Sequence, residues 1–208
     1  MATVFENIIS GVWAGRFVWT DDECVAFATI EPTSPGHVLV VPRTPYEKWT
    51  DAPSNVATHL MKVARIIGIA QEKAFGVPRA GLVIAGFEVP HTHLHVIPLR
   101  TEADVLLSHA VKATDEELDQ AMTKLRDALL SQGHGSHVPE SMTSLGCSPS
   151  SNNARSCLVL ERRHHHDRRN IASQADASTS THGGSGRLAY FKRNLTGLVN
   201  IDDTDQRV

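Results

Sequence analysis

The sequence predicts an α+β domain over residues 1–136, an antiparallel sheet with helices packed on it. Three observations carry that expectation. Short apolar runs bounded by turn residues recur between Arg16 and Ile97, as strands require. Two longer stretches repeat apolar residues at helical spacing and carry helix-end signals. Beyond Ser136 the composition shifts, and Ser, Thr, Asn, Arg, Gly and His come to dominate with little periodicity. Residues 137–208 are therefore expected to be a low-complexity, disordered extension.

The elements follow in order. Residues 4–9, VFENII, form a short amphipathic helix candidate ending at Ser10-Gly11. Residues 16–19 and 24–30 read as two strands around the polar turn Asp21-Asp22-Glu23. Phe17, Trp19, Val25 and Phe27 are their apolar positions. The turn cluster Pro32-Thr33-Ser34-Pro35-Gly36 leads into an apolar strand at 37–41, stopped by Pro42. Asp51 is the expected N-cap of a long helix, with Pro53 in its first turn and Gly76 just past its end. Val56, Leu60, Val63, Ala64, Ile67 and Ala70 form its stripe, and His59 lies beside it as a surface or packing residue. A strand at 82–84 follows. Thr114 and Glu117 form a capping box that opens a last helix, whose stripe is Leu118, Met122, Leu125 and Leu129 and whose end is Gly133.

The most informative stretch is His91-Thr92-His93-Leu94-His95, followed by Val96-Ile97-Pro98. Read as an extended strand, it places His91, His93 and His95 on one face, about 6.5–7 Å apart, with Thr92, Leu94 and Val96 facing the core. Pro98 is expected to stop that strand. Imidazole is a nucleophile, a base and a metal ligand near neutral pH. Two chemistries fit three such rings: a nucleophilic histidine flanked by proton and phosphate handlers, or a divalent metal site. His37, opening a strand directly after a tight turn, is the second informative residue.

At these residues the chain resembles the histidine triad (HIT) family, whose signature is His-x-His-x-His followed by apolar residues. Residues 81–90, GLVIAGFEVP, resemble an actinobacterial-type branch, and Ser34-Pro35-Gly36-His37 matches the family's upstream histidine. The resemblance spans roughly residues 1–134. It implies a HIT-like antiparallel sheet and a nucleotide hydrolase or transferase. His93 would attack the α-phosphorus to give a histidine–nucleotidyl intermediate. His95 would contact phosphate or bridging oxygens, with His91 and His37 completing the cluster. It also implies a two-fold dimer and a nucleotide substrate, with no metal or other cofactor.

The sequence departs from the family around the substrate. Thr29 stands where many members have an acidic ribose contact, and Glu31 lies close enough to substitute. Phe87 and Glu88 stand where members place phosphate-holding polar residues. With Phe27, these make Thr29, Glu31, Glu88 and Phe27 the expected substrate-binding set. The substrate is expected to be a nucleoside phosphoramidate or a dinucleoside polyphosphate, the former preferred. Nucleotide binding without turnover and a metal-binding histidine cluster remain the alternative readings.

Composition excludes other classes. The net charge of −3 predicts no broad attraction to nucleic acid or membranes. No apolar run approaches transmembrane length, and MATVFENIIS has no signal-peptide pattern. The three cysteines, Cys24, Cys147 and Cys157, are odd in number and far apart. They fit a reducing, cytoplasmic setting without disulfides, and no Cys-x-x-Cys pair is present for a structural zinc.

Overall fold

A computed structural model describes residues 2–145. Cys147, Cys157 and the part of the expected low-complexity extension beyond Leu145 lie outside the described residues. Helix α1 (Val4–Ile9) is followed by strands β1 (Phe17–Thr20), β2 (Cys24–Ala28) and β3 (Val38–Pro42). Helix α2 (Ser54–Phe75), strands β4 (Arg79–Val83) and β5 (Leu94–Leu99), and helix α3 (Asp115–Ser131) complete the fold. The five strands form one sheet of order β1-β2-β3-β5-β4, antiparallel at every pairing. The expected α+β architecture is what the chain adopts. Among the described residues no helix is long and apolar enough to cross a membrane.

Alternation along the strands sorts the core into two layers. Val38, Val40, Leu94 and Val96 face α2 and α3, where they meet Leu60, Val63, Ile67, Met122 and Leu125. Val25, Phe27, Leu39 and Val41 face the other way, and Phe5 of α1 covers them together with Phe17. Trp19 breaks the expected period. It packs with the α2 and α3 layer although Phe17 packs on the opposite one. A register shift between these two residues against β2 accounts for it, since one extra residue flips the following side chain.

The helix ends follow local chemistry. At α1, the Thr3 hydroxyl accepts from the Glu6 N–H and the Glu6 carboxylate accepts from the Thr3 N–H. That capping box satisfies two otherwise orphaned donors. The same device opens α3 at Thr114 and Glu117, as expected. Gly76 closes α2 in the left-handed region, at φ 59°, which favours glycine.

Two expectations are corrected. Asp51 does not cap α2. It lies in a 3-10 turn (Trp49–Asp51) beside Lys48, and α2 begins at Ser54 behind Pro53, whose fixed φ suits a helix entry. Pro98 does not stop β5, because it pairs with Ala80 of β4 inside the strand. Pairing with β3 ends at Val96, and beyond it the Ser34 hydroxyl donates to the Pro98 carbonyl. Pro98 therefore sits where β5 has outrun one of its two neighbours, and its missing N–H removes no bond on that side.

The chain stays on the domain after α3. Val138 and Met142 pack on the α2–α3 layer and Leu145 on the aromatic layer. The Phe17 N–H donates to the Met142 carbonyl at 2.7 Å. The Arg126 guanidinium ties the two runs together by donating to the Phe17 and Pro139 carbonyls.

Candidate active site

β3 and β5 lie side by side, with Leu39 opposite His95. His95 therefore projects on the aromatic side of the sheet, with Leu39, and His37, two residues before Leu39, opens the same face. The turn before His37 needs a glycine. Gly36 has φ 96°, and a Cβ there would fall 2.2 Å from the Phe75 ring. From the opposite side of the sheet, the buried Gln71 of α2 donates through Nε2 to the Gly36 and Val96 carbonyls, each at 2.9 Å. Its amide thus pins the backbone next to both histidines. Its Oε1 has no hydrogen-bond partner among the described residues.

Of the three alternating histidines only His95 lies within a strand, although all three rings gather on the aromatic side, where Phe5 meets His91 and His93. β5 begins only at Leu94, and His91 and His93 precede it. The His91 N–H turns back to the Val89 carbonyl, and both the N–H and the hydroxyl of Thr92 donate to the Tyr46 carbonyl. Those bonds pull the chain out of the ladder. As a result the His93 ring packs 4.9 Å from the His95 ring, and His95 lies 5.2 Å from His37, centroid to centroid. His91 is set behind them, wholly buried, with the Phe5 ring edge-on to both His91 and His93.

Hydrogen bonds decide which nitrogens carry protons. Nδ1 of His93 lies 2.8 Å from the His91 carbonyl, which can only accept. The proton is therefore on Nδ1, and Nε2 keeps its lone pair. The Thr33 N–H points at Nδ1 of His37 at 3.3 Å, so that nitrogen accepts and the proton is on Nε2. His37 Nε2 then donates to Nδ1 of His95 at 3.0 Å, leaving the His95 proton on its own Nε2. A lone pair on His93 thus neighbours a ring with an N–H to give.

Burial disfavours the charged form of all four rings. It lowers His37 to about 3, helped by His95, and His95 to about 4, helped by His93. It lowers His91 and His93 as well, against the opposing pull of the Pro42 carbonyl on His91, and of the His91 carbonyl and the Glu88 charge on His93. Beside His93 a cleft of about 440 Å³ opens between residues 47–50 and 84–87, flanked by Trp49, Ile84 and Phe87.

The expected substrate residues are less concentrated. Phe27 is 2% exposed, packed against Phe5 and Phe17, and offers almost no surface. Thr29 follows β2, half-buried, and its hydroxyl accepts from the Glu31 N–H. Glu31 and Glu88 are exposed, and Glu88 reaches His93 through its charge. None of these four lines the cleft. Sequence reasoning missed Thr3, although Thr3-x-x-Glu6 is a readable capping signal. It also missed Gln71, which only the fold brings to the site.

A second polar group lies at the β1–β2 turn. Asp21, Cys24 and His59 bring ligand atoms within 4.8 Å of one another. The carboxylate is already taken: Oδ2 lies 2.7 Å from Trp19 Nε1 and 2.9 Å from His59 Nε2, and Oδ1 accepts from two backbone N–H groups. Burial and Asp21 push the Cys24 thiol up, away from the thiolate a metal needs. The trio reads as a hub tying the turn to α2. It gives His59 a partner where a surface or packing role was expected.

Against known proteins, the HIT domain family matches residues 11–102. A HIT-like protein of Saccharolobus solfataricus is 37% identical over 100 residues, 46% of this chain and 72% of that one. The chain belongs to the HIT family. A yeast relative, the adenosine 5'-monophosphoramidase HNT1 of Saccharomyces cerevisiae, is 33% identical over 112 residues, covering 53% of this chain and 70% of its own. Among solved structures, a zinc-bound histidine triad family protein from Mycobacterium smegmatis superposes with a TM-score of 0.56 at 26% identity, over 65% of this chain and 98% of that one. The relatives of this HIT protein thus include an enzyme acting on a nucleotide.

Proposed function

We propose that this HIT protein is a nucleotidyl hydrolase or transferase that works through a covalent intermediate on His93. One observation carries the reading. The His93 lone pair sits on Nε2, held there by the bond from Nδ1–H to the His91 carbonyl, and His93 lines a cleft while packing beside the His95 ring, whose Nε2 bears a proton. In the first step Nε2 attacks the α-phosphorus of a phosphoramidate protonated from solvent on its amide nitrogen; the bond to His93 forms, the original phosphorus–nitrogen bond breaks, and the amine departs neutral, taking that proton. His95 donates a hydrogen bond from Nε2–H to the oxygens that gain charge, without surrendering its proton. Water or a second acceptor then displaces His93 and frees the nucleotide. His37 sets the proton on His95, and His91 sets the proton on His93.

A nucleoside phosphoramidate is the preferred substrate over a dinucleoside polyphosphate. The monophosphoramidase relative supports that choice, as does Glu88, whose charge disfavours a long anionic chain beside His93. The phrase at 81–90 agrees with an actinobacterial-type branch. A two-fold dimer fits the edge of β4, which among the described residues has β5 on one side only.

The test is the intact mass of the protein after brief mixing with a panel of nucleotides and nucleoside phosphoramidates, quenched cold and alkaline to preserve a phosphorus–nitrogen bond. A nucleotidyl adduct that is lost in His93→Ala supports the mechanism. No adduct and no substrate consumed across the panel would favour binding without turnover.

A further inference from the structure

Helix α1 touches the histidine cluster at a point the proposed chemistry does not use. The Thr3 hydroxyl lies 3.0 Å from Nδ1 of His91. On its other side Nε2 of His91 lies 2.8 Å from the Pro42 carbonyl. A carbonyl only accepts, so the His91 proton is on Nε2 and Nδ1 must accept. The Thr3 oxygen already accepts from the Glu6 N–H at 3.1 Å, which leaves its own hydrogen free to point at His91. Every donor in this line has one acceptor, and each fixes the next.

From this geometry we infer that Thr3 is a positioning residue for His93, acting through the His91 ring and the His91 carbonyl. The line runs from the Thr3 hydroxyl to His91 Nδ1, from His91 Nε2–H to Pro42, and from His93 Nδ1–H to the His91 carbonyl. A His91 ring held at both nitrogens cannot rotate, and its backbone then stays where His93 needs it. Phe5, in the first turn of the same helix, closes on both rings from the side. The first turn of α1 is a bracket on the nucleophile, and its capping box aims the bracket. The inference rests on the reading of His93 as the nucleophile, but its test does not need turnover.

The test places the protons directly. Full-length chain carrying nitrogen-15 histidine is compared at neutral pH by long-range proton–nitrogen spectra, as wild type, Thr3→Ser, Thr3→Val and Thr3→Asp. Wild type and Thr3→Ser are expected to show His91 protonated on Nε2 alone and His93 on Nδ1 alone. Thr3→Val removes the donor, and His93 is expected to show both neutral forms, with turnover of adenosine 5'-phosphoramidate down about tenfold, the worth of one hydrogen bond. Thr3→Asp keeps a good helix cap but replaces the donor by an acceptor. His91 should then carry both protons, since the introduced carboxylate and Glu6 face it on one side and only neutral His93 on the other.

Unchanged His91 and His93 signals in both Thr3→Val and Thr3→Asp would overturn the inference, as would a wild-type His93 proton on Nε2. Expected wild-type protons that shift in Thr3→Val and Thr3→Asp, in a chain that consumes no nucleotide, support the bracket and count against the enzyme reading alone.

Discussion

His37 and His95 meet nitrogen to nitrogen: Nε2 of the first lies 3.0 Å from Nδ1 of the second. The direction of that bond is set one step further back, at the Thr33 N–H. His37→Phe keeps a ring but removes the donor, so His95 is free to place its proton on Nδ1 and present a lone pair to the phosphate. Turnover is expected to fall about 10²-fold with a small change in KM, because the lost bond matters most as charge develops. Steady-state kinetics on adenosine 5'-phosphoramidate separates the two constants.

His93→Ala removes the proposed attacking atom. The expected loss of turnover is at least about 10³-fold, with a far-ultraviolet circular dichroism spectrum like that of wild type. A variant that keeps the wild-type rate would take His93 out of the chemistry.

The depressed histidines fix the sign of an acid effect. His37 and His95 titrate at about 3 and about 4 when folded, against 6.5 for a free imidazole. Between those values the unfolded chain binds protons that the folded chain refuses, so stability rises with pH. The contribution is complete above pH 6.5 and is lost as pH falls towards 4. Tm measured between pH 4 and 7 should slope upward, and the slope should be shallower in His37→Phe. Catalysis, needing neutral rings, should persist below the pH at which a free imidazole takes up its proton, while the fold survives.

Glu88 puts a carboxylate charge within reach of His93, the proposed nucleophile. Glu88→Gln removes the repulsion a phosphate meets there, and KM for an anionic substrate should fall about threefold at low ionic strength, with kcat nearly constant. Added salt should erase the difference. An unchanged KM at low salt would mean that Glu88 acts on nothing in the cleft.

The run after α3 offers a test by truncation. A chain ending at Leu145 keeps the Met142 carbonyl against Phe17 and the side chains that cover both layers. A chain ending at Ser136 loses them. It should be less stable by about 2 kcal/mol, one strand-edge hydrogen bond plus the burial of two or three apolar side chains. Urea unfolding of the two chains gives the difference.

Much of this was legible in the amino-acid order because it is local. The stripes of α2 and α3, the Thr114 box, the Gly76 stop and the buried strand before Pro42 each announce themselves within a few residues. His37 was legible from the turn ahead of it together with the family resemblance. The His91–His95 alternation was legible as a cluster and misleading as a strand. The rings gather on one side, but the strand starts late, because Tyr46 and Val89 take the backbone bonds of Thr92 and His91 before β5 begins. Pro98 misled for the complementary reason, since its cost depends on how far β3 extends. Gln71 gave no sign at all. It is a polar residue on a helix face, and only the packing of α2 under β3 and β5 reveals what it holds.

The bond between Thr3 and His91 spans 88 residues of chain. During synthesis the first turn of α1 leaves the ribosome long before the residue it braces exists, and contacts this distant in sequence form late because so much chain must be ordered first. A nascent or partly folded chain therefore carries the histidines without their bracket. The order of assembly postpones a reactive imidazole until the sheet that shelters it has closed.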